Sequence, residues 1–89
     1  VGAWIEADLA RPEGIRRIGD HLGEHALDAL IYAGGTWESG AFTSAYSFEN
    51  GPDDDIERVI QVNLLAPIRL VRRLLPNLRR VMNPRVVLI

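Results

Sequence analysis

The sequence contains no cysteine and no lysine among its 89 residues, and each absence excludes a kind of chemistry. Without thiols the chain forms no disulfide and no thiolate metal site, which agrees with the reducing cytoplasm where we expect this protein. All ten basic residues are arginine. Any mechanism that requires an amine side chain must therefore take that amine from outside these residues.

Long apolar runs and a large net charge are missing as well. No apolar run reaches the roughly 18 residues of a membrane-spanning helix, so we expect no membrane partner. The net charge is −2, and no basic run alternates with aromatic residues, so we expect no nucleic-acid partner. The sequence starts at Val1-Gly2 without a methionine or a signal peptide, and we expect it to lie within a longer protein.

The residues that are present describe one small α/β unit. The composition, 47% hydrophobic and 25% charged, is ordinary for a globular protein. The short apolar stretch over residues 3–7 predicts a strand. Pro12 is suited to the first position of a helix, and Ile15, Ile18 and Leu22 then recur at helical spacing. This predicts an amphipathic helix of about three turns.

A second apolar segment covers residues 27–33 and ends at Gly34-Gly35. A continuous run bounded by turn residues is typical of a strand buried on both faces, as in parallel sheets. Residues 36–52 show no period and mix glycine, serine and aromatic residues. This predicts a loop, long enough to suggest a function or mobility.

A long helix and a last strand complete the pattern. Asp53 is the best N-cap candidate, and the acids of 53–55 suit the positive end of the helix dipole. Helical periodicity then continues to Arg80, and residues 85–89 are again apolar. The order β-α-β-loop-α-β predicts a parallel sheet, whose ligands bind at the carboxyl ends of its strands.

One position on the long helix is unusual. Asn63 lies on the apolar stripe, where an amide is costly unless it is hydrogen-bonded. Pro67, four residues later, has no N–H and clashes with the Asn63 carbonyl in a regular α-helix. The sequence therefore predicts a helix bent at Asn63, with this carbonyl released from the ladder.

The order and spacing of these segments resemble the short-chain dehydrogenase/reductase family. Asp8-Leu9 resembles the pair that ends the family's third strand. Residues 27–35 resemble its fourth strand with the Asn-Asn-Ala-Gly ending, and residues 61–67 resemble its Val-Asn-Leu segment. The resemblance implies a doubly wound Rossmann fold, Asn63 in the catalytic tetrad, and cofactor contacts from Asp8, Leu9, Tyr32, Ala33, Gly34 and Gly35.

The chain departs from the family pattern at the fourth strand. Tyr32 and Ala33 stand where the two asparagines usually are, and Gly34 stands where alanine is. The glycine-rich turn and the Ser and Tyr-Lys residues of the family lie outside the chain, because Tyr32 and Tyr46 have no lysine four residues later. We expect residues 1–89 to be a partial NAD(P)-binding domain that is inactive alone.

The resemblance implies a parent oxidoreductase that uses NAD or NADP to oxidise an alcohol or reduce a ketone. It also implies a homo-oligomer formed through the helix of residues 53–80. The alternative is a non-catalytic nucleotide-binding relative, suggested by the missing asparagine pair. Another parallel α/β class, such as a methyltransferase or a flavodoxin-like domain, leaves Asn63 and Pro67 unexplained. His21 and His25 have no converging ligands, so no metal site is expected.

Overall fold

A computed structural model describes residues 3–89. Val1 and Gly2, on which the expectation of a longer protein partly rests, lie outside the described residues. The helices are α1, α2 and α3, with one π turn between α2 and α3, and the strands are β1 and β2. Their bounds are α1 Pro12–Leu22, β1 Ala29–Tyr32, α2 Asp53–Ile60, the π turn Gln61–Leu65, α3 Ala66–Leu78 and β2 Arg85–Leu88.

The two strands pair in parallel, as predicted from the alternation of strands and helices. Ala29 lies opposite Arg85, and Tyr32 lies opposite Leu88. Helices α1 and α3 pack together beside this ladder. Their shared core consists of Ile15, Tyr32, Ala66, Leu70 and Leu74. This part of a doubly wound α/β fold matches the predicted fold class.

The prediction that the strand of residues 27–33 is buried on both faces is wrong for this chain. β1 alternates instead: Tyr32 is 5% exposed, whereas Ile31 is 64% exposed. Burial of Tyr32 follows from its contacts with the core beside α1 and α3. No described element covers the opposite face of β1, so Ile31 remains open to solvent.

The strand predicted over residues 3–7 does not form in the described structure. These residues carry no strand assignment, and Trp4 is 91% exposed. A strand requires a hydrogen-bonded neighbour. In a doubly wound sheet of order 3-2-1-4-5-6, the third strand is separated from the fourth by two others. Neither β1 nor β2 can therefore serve as the partner of this segment.

The helix start at Asp53 also differs from the prediction. The N-cap is Pro52, and Asp53 is the first helical residue. The acidic first turn is confirmed, because Asp53, Asp54 and Asp55 all lie in it. Only Asp55 is buried, and its carboxylate binds the loop rather than the helix end.

Two side chains of α3 fix its position against α1 and the start of β1. The Asn77 amide donates hydrogen bonds to the carbonyls of Gly23 (2.9 Å) and His25 (2.7 Å). Arg73 pairs with Asp20 at 2.8 Å. The Arg73 side chain crosses Gly19 so closely that a Cβ there would lie 2.2 Å from Nε. These contacts hold α1 and the segment that leads into β1 against the C-terminal half of α3.

Candidate functional site

The break predicted in the long helix is confirmed and takes the form of a π turn. Residues 61–65 leave the α-helical pattern, and the Ala66 N–H donates to the Gln61 carbonyl five residues earlier. Pro67 has no N–H to offer the Asn63 carbonyl, which is the physical cause anticipated from the sequence. Single π turns inside α-helices are frequent at functional sites.

Asn63 itself is joined to the segment that follows β1. Its Oδ1 accepts a hydrogen bond from the Thr36 N–H at 2.8 Å, and its Nδ2 donates to the Thr36 carbonyl at 2.9 Å. Asn63 is nevertheless exposed in this chain. The apolar stripe of the long helix is therefore open to solvent at this position. The side-chain amide forms its hydrogen bonds with the Thr36 backbone.

The Val62 carbonyl, one residue earlier, has a side-chain partner. In an α-helix this carbonyl would accept from the Ala66 N–H, which the π turn directs to Gln61 instead. The hydroxyl of Tyr32 donates to the Val62 carbonyl. Burial raises the pKa of Tyr32, which keeps its hydroxyl protonated as a donor near neutral pH. Sequence analysis assigned Tyr32 to the cofactor and gave no sign of this contact.

The two predicted cofactor segments lie side by side. A Cβ at Gly34 would lie 3.3 Å from Cδ1 of Leu9, so the segment after β1 runs along Leu9. A Cβ at Gly35 would lie 3.6 Å from Oδ1 of Asn63. Ala33 and Gly35 are exposed. The structure therefore brings Leu9, residues 33–35 and Asn63 to one edge of the fold.

Asp8 lies in a tight turn at the start of α1. Its Oδ1 accepts from the Ala10 N–H at 2.9 Å, and its Oδ2 lies 3.5 Å from Nε of Arg11. The carboxylate stays largely exposed. Each carboxylate oxygen has two lone pairs, so capacity remains for another donor. Asp8 also borders an open cavity of about 360 Å³.

Gly14 lies against the candidate residue Asp8, and sequence analysis did not single it out. A Cβ at this position would lie 1.9 Å from the carbonyl oxygen of Asp8. Glycine at 14 thus lets the first turn of α1 press against the Asp8 backbone. A glycine early in an amphipathic helix was the only available signal, since its neighbour in space is six positions away.

The loop of residues 36–52 is anchored to α2. The Asp55 carboxylate accepts hydrogen bonds from the Ser39 N–H (2.8 Å) and hydroxyl (3.0 Å). Arg58 pairs with Asp55 at 3.3 Å and donates to the Trp37 carbonyl at 2.7 Å. The loop prediction is confirmed apart from one short 3₁₀ turn at Phe48–Asn50. Its first part is held in place by these bonds.

Aromatic side chains project from this loop. Trp37 and Phe42 meet edge to face with ring centroids 5.1 Å apart, and both are mostly exposed. The Tyr46 hydroxyl donates to Glu38 at 3.3 Å. Desolvation and the negative charge of Glu38 raise the pKa of Tyr46. The loop therefore presents an apolar surface that begins at Trp37, the residue after Thr36.

Among residues 3–89, no group of three or more acidic or histidine side chains is placed to hold a metal ion. Nor does any of the helices described there combine the length and apolar character that crossing a membrane requires.

Known proteins of Pseudomonas aeruginosa are similar to this chain. A rhamnolipid-biosynthesis 3-oxoacyl-[acyl-carrier-protein] reductase of Pseudomonas aeruginosa is 38% identical in an alignment of 79 residues, and the alignment covers 85% of this chain. The solved RhlG/NADP active-site complex of Pseudomonas aeruginosa superimposes with a TM-score of 0.74 at 33% identity and covers 94% of this chain. The resemblance to the short-chain dehydrogenase/reductase family is confirmed.

The chain has the fold of the central part of a short-chain dehydrogenase/reductase domain. It spans 28% of the length of the reductase and 33% of the length of the solved chain. No protein-family model matches the chain. Most of each relative lies outside the part that this chain matches. The similarities therefore do not by themselves establish the activity of the whole protein.

Proposed function

We propose that this chain is the central part of an NAD(P)-dependent oxidoreductase that reduces a ketone or oxidises an alcohol. The observation that carries the proposal is the π turn with Asn63 bonded to Thr36. The side-chain amide of Asn63 lies next to Gly35, which follows β1. NAD or NADP supplies the hydride acceptor or donor when bound.

The residues at the strand ends fit the adenosine side of such a cofactor. Gly34 and Gly35 leave no side chain where a ribose would approach the backbone. Asp8 offers carboxylate lone pairs beside an open cavity, which suits the exocyclic amine of adenine. Leu9 borders Gly34 and offers an apolar side chain to the ring. We assign cofactor contacts to Asp8 and Leu9 and to the main chain of Tyr32, Ala33, Gly34 and Gly35. The side chain of Tyr32 is buried and bonded to Val62, so it is not part of these contacts.

Asn63 is assigned to the proton relay. Pro67 removes the α-helical donor of the Asn63 carbonyl, so this oxygen can hold a water molecule. Its carboxamide is occupied by Thr36, which fixes the residue in place. The Ser, Tyr and Lys that complete the relay in the family are assigned to segments outside residues 1–89, which form a partial domain that is inactive alone.

A homo-oligomer is proposed through the long helix. Ile56, Ile60, Leu64 and Ile68 recur every four residues and are between 45% and 54% exposed. Residues at this spacing lie on one face of a helix, so the chain carries an apolar stripe that a second copy would bury. We further propose a cytoplasmic enzyme with a small-molecule substrate and no nucleic-acid partner.

The proposal is tested with the full-length protein that contains these residues. Ketone reduction is followed by the loss of NADPH absorbance, with a 3-oxoacyl thioester as the first substrate because the Pseudomonas reductase is named for that group. Turnover is expected, and Asn63→Ala should lower kcat at least tenfold, since a relay group contributes about 10²-fold or more. Asn83→Ala, an exposed asparagine beyond α3, is the matched control.

The outcomes separate the two candidate functions. Turnover that depends on Asn63 supports the oxidoreductase. Cofactor binding without turnover on any ketone or alcohol would instead support the non-catalytic relative. Absence of both would overturn the proposal.

A further inference from the structure

Two departures from the family pattern are in contact with each other. Tyr32 stands where the family has asparagine, and Gly34 stands where it has alanine. A Cβ at Gly34 would lie 3.0 Å from both Cζ and the hydroxyl oxygen of Tyr32. That is closer than ordinary van der Waals contact, so an alanine methyl would have to displace the tyrosine ring by a few tenths of an ångström. The glycine therefore makes room for the tyrosine.

The tyrosine has a defined partner in that space. Tyr32 is 5% exposed and belongs to the core shared with Ala66. Its hydroxyl donates to the Val62 carbonyl, whose α-helical donor has been diverted to Gln61. A half-buried carbonyl without a donor loses hydration that nothing replaces. Tyr32 therefore satisfies the group that the π turn leaves unpaired.

We propose that Tyr32 is a positioning residue that acts on Asn63 through Val62, and that Gly34 is required for it. Val62 and Asn63 are consecutive, so a bond that fixes the Val62 carbonyl fixes the peptide plane that contains the Asn63 Cα. The carbonyl and the carboxamide of Asn63 both extend from this Cα, so the bond restricts where they can lie. The inference rests on the proposed function for its effect on turnover. Its structural part, the order of the Asn63–Thr36 pair, does not depend on that function.

The first test removes the hydroxyl oxygen of Tyr32. Tyr32→Phe in the full-length protein keeps the ring and deletes the hydroxyl. We expect kcat to fall about fivefold, the worth of one neutral hydrogen bond, with the cofactor KM within twofold. The Thr36 amide, bonded to Asn63 Oδ1, should exchange with deuterium about fivefold faster. Tyr46→Phe, which removes the hydroxyl of the second tyrosine of the chain, should change neither quantity.

The second test uses the contact between Tyr32 and Gly34, the two residues that differ from the family pattern. Gly34→Ala should lower the urea midpoint of unfolding, because its methyl meets the Tyr32 ring. In a protein that already carries Tyr32→Asn, the same change should cost little, since asparagine is smaller. Non-additivity of this kind is measured by a double-mutant cycle. Equal effects of Gly34→Ala in both backgrounds would overturn the pairing of Gly34 with Tyr32.

The failure of this inference is distinguishable from failure of the proposed function. If the wild-type protein neither binds NADPH nor reduces a ketone, the proposed function fails. Thr36 exchange in Tyr32→Phe then decides the positioning role: faster exchange supports it and unchanged exchange overturns it. If the wild-type protein is active, unchanged kcat and unchanged exchange in Tyr32→Phe overturn the inference.

Discussion

The carboxamide of Asn63 forms hydrogen bonds with both polar groups of the Thr36 backbone, at 2.8 and 2.9 Å. The two residues are 27 positions apart. This amide-to-backbone pair joins the π turn of the long helix to the segment after β1. It therefore couples the proposed relay residue to the proposed cofactor residues.

Loss of this pair should loosen the connection between the two segments. Asn63→Ala removes both bonds, and we expect about 1 kcal/mol less stability, because the pair is exposed and water replaces part of the loss. Asn63→Asp should be at least as destabilising, since a carboxylate cannot donate to the Thr36 carbonyl. Urea unfolding measures both. An Asn63→Asp protein as stable as wild type would contradict the pairing.

Gly14 is expected to tolerate no side chain. Gly14→Ala places a methyl 1.9 Å from the Asp8 carbonyl oxygen, and the backbone must move to relieve the overlap. We predict a loss of about 1–3 kcal/mol, the usual cost of overpacking, together with weaker cofactor binding. Gly51→Ala is the matched control, because the nearest atom to its Cβ is 3.7 Å away. Equal stability of the two variants would show that α1 does not press on Asp8.

Asp55 should control the order of the loop over residues 36–52. Asp55→Ala leaves two donors of Ser39 and the Arg58 guanidinium without their acceptor. A hydrogen bond to a charged group contributes about 1.5–3 kcal/mol, so we expect a stability loss of that size. Limited proteolysis should then cleave within the loop. Asp54→Ala, an exposed acid of the same turn, should leave the cleavage pattern unchanged, and identical digestion of both variants would refute the anchoring.

Stability should fall at alkaline pH. The chain has no cysteine and no lysine, so its two tyrosines are the side chains that titrate near pH 10. The pKa values of Tyr32 and Tyr46 are raised in the fold. A raised folded pKa favours the folded state fully below the unfolded value near 10. That contribution is lost as pH rises through the folded pKa.

Denaturant midpoints between pH 8 and pH 12 measure this effect. The stability of the wild type should decline above about pH 10. Tyr32→Phe should reduce the decline, and Tyr32→Phe with Tyr46→Phe should remove most of it. A decline of the same steepness in the double variant would assign the effect to another group.

Local signals in the sequence predicted the helices and the irregular turn. Pro12 opens α1 as predicted, and Pro67 gives rise to the π turn because the missing N–H acts only four residues away. The family resemblance, with the parallel pairing of β1 and β2, was also predictable from the order of the segments. The helices and the π turn depend on neighbours in sequence, whereas the strand pairing follows from the order of the segments.

Other features depend on partners that are distant in sequence. The bond from Tyr32 to Val62 spans 30 positions and that from Asn77 to Gly23 spans 54, so periodicity gives no sign of either. The strand expected over residues 3–7 was wrong because a strand forms only beside a partner. Asp53 was the wrong cap because an acidic residue near a helix start can also lie inside the first turn.

Cofactor binding tests the central claim most directly. NADPH fluorescence is titrated with the full-length protein that contains this chain, in parallel with its Asp8→Ala variant and with Asp54→Ala as the control. The account predicts saturable binding by the wild type and by Asp54→Ala, and binding at least tenfold weaker for Asp8→Ala, about 1.4 kcal/mol. Absence of binding by the wild type, or equal affinity of all three proteins, would contradict the assignment of this strand end to the cofactor.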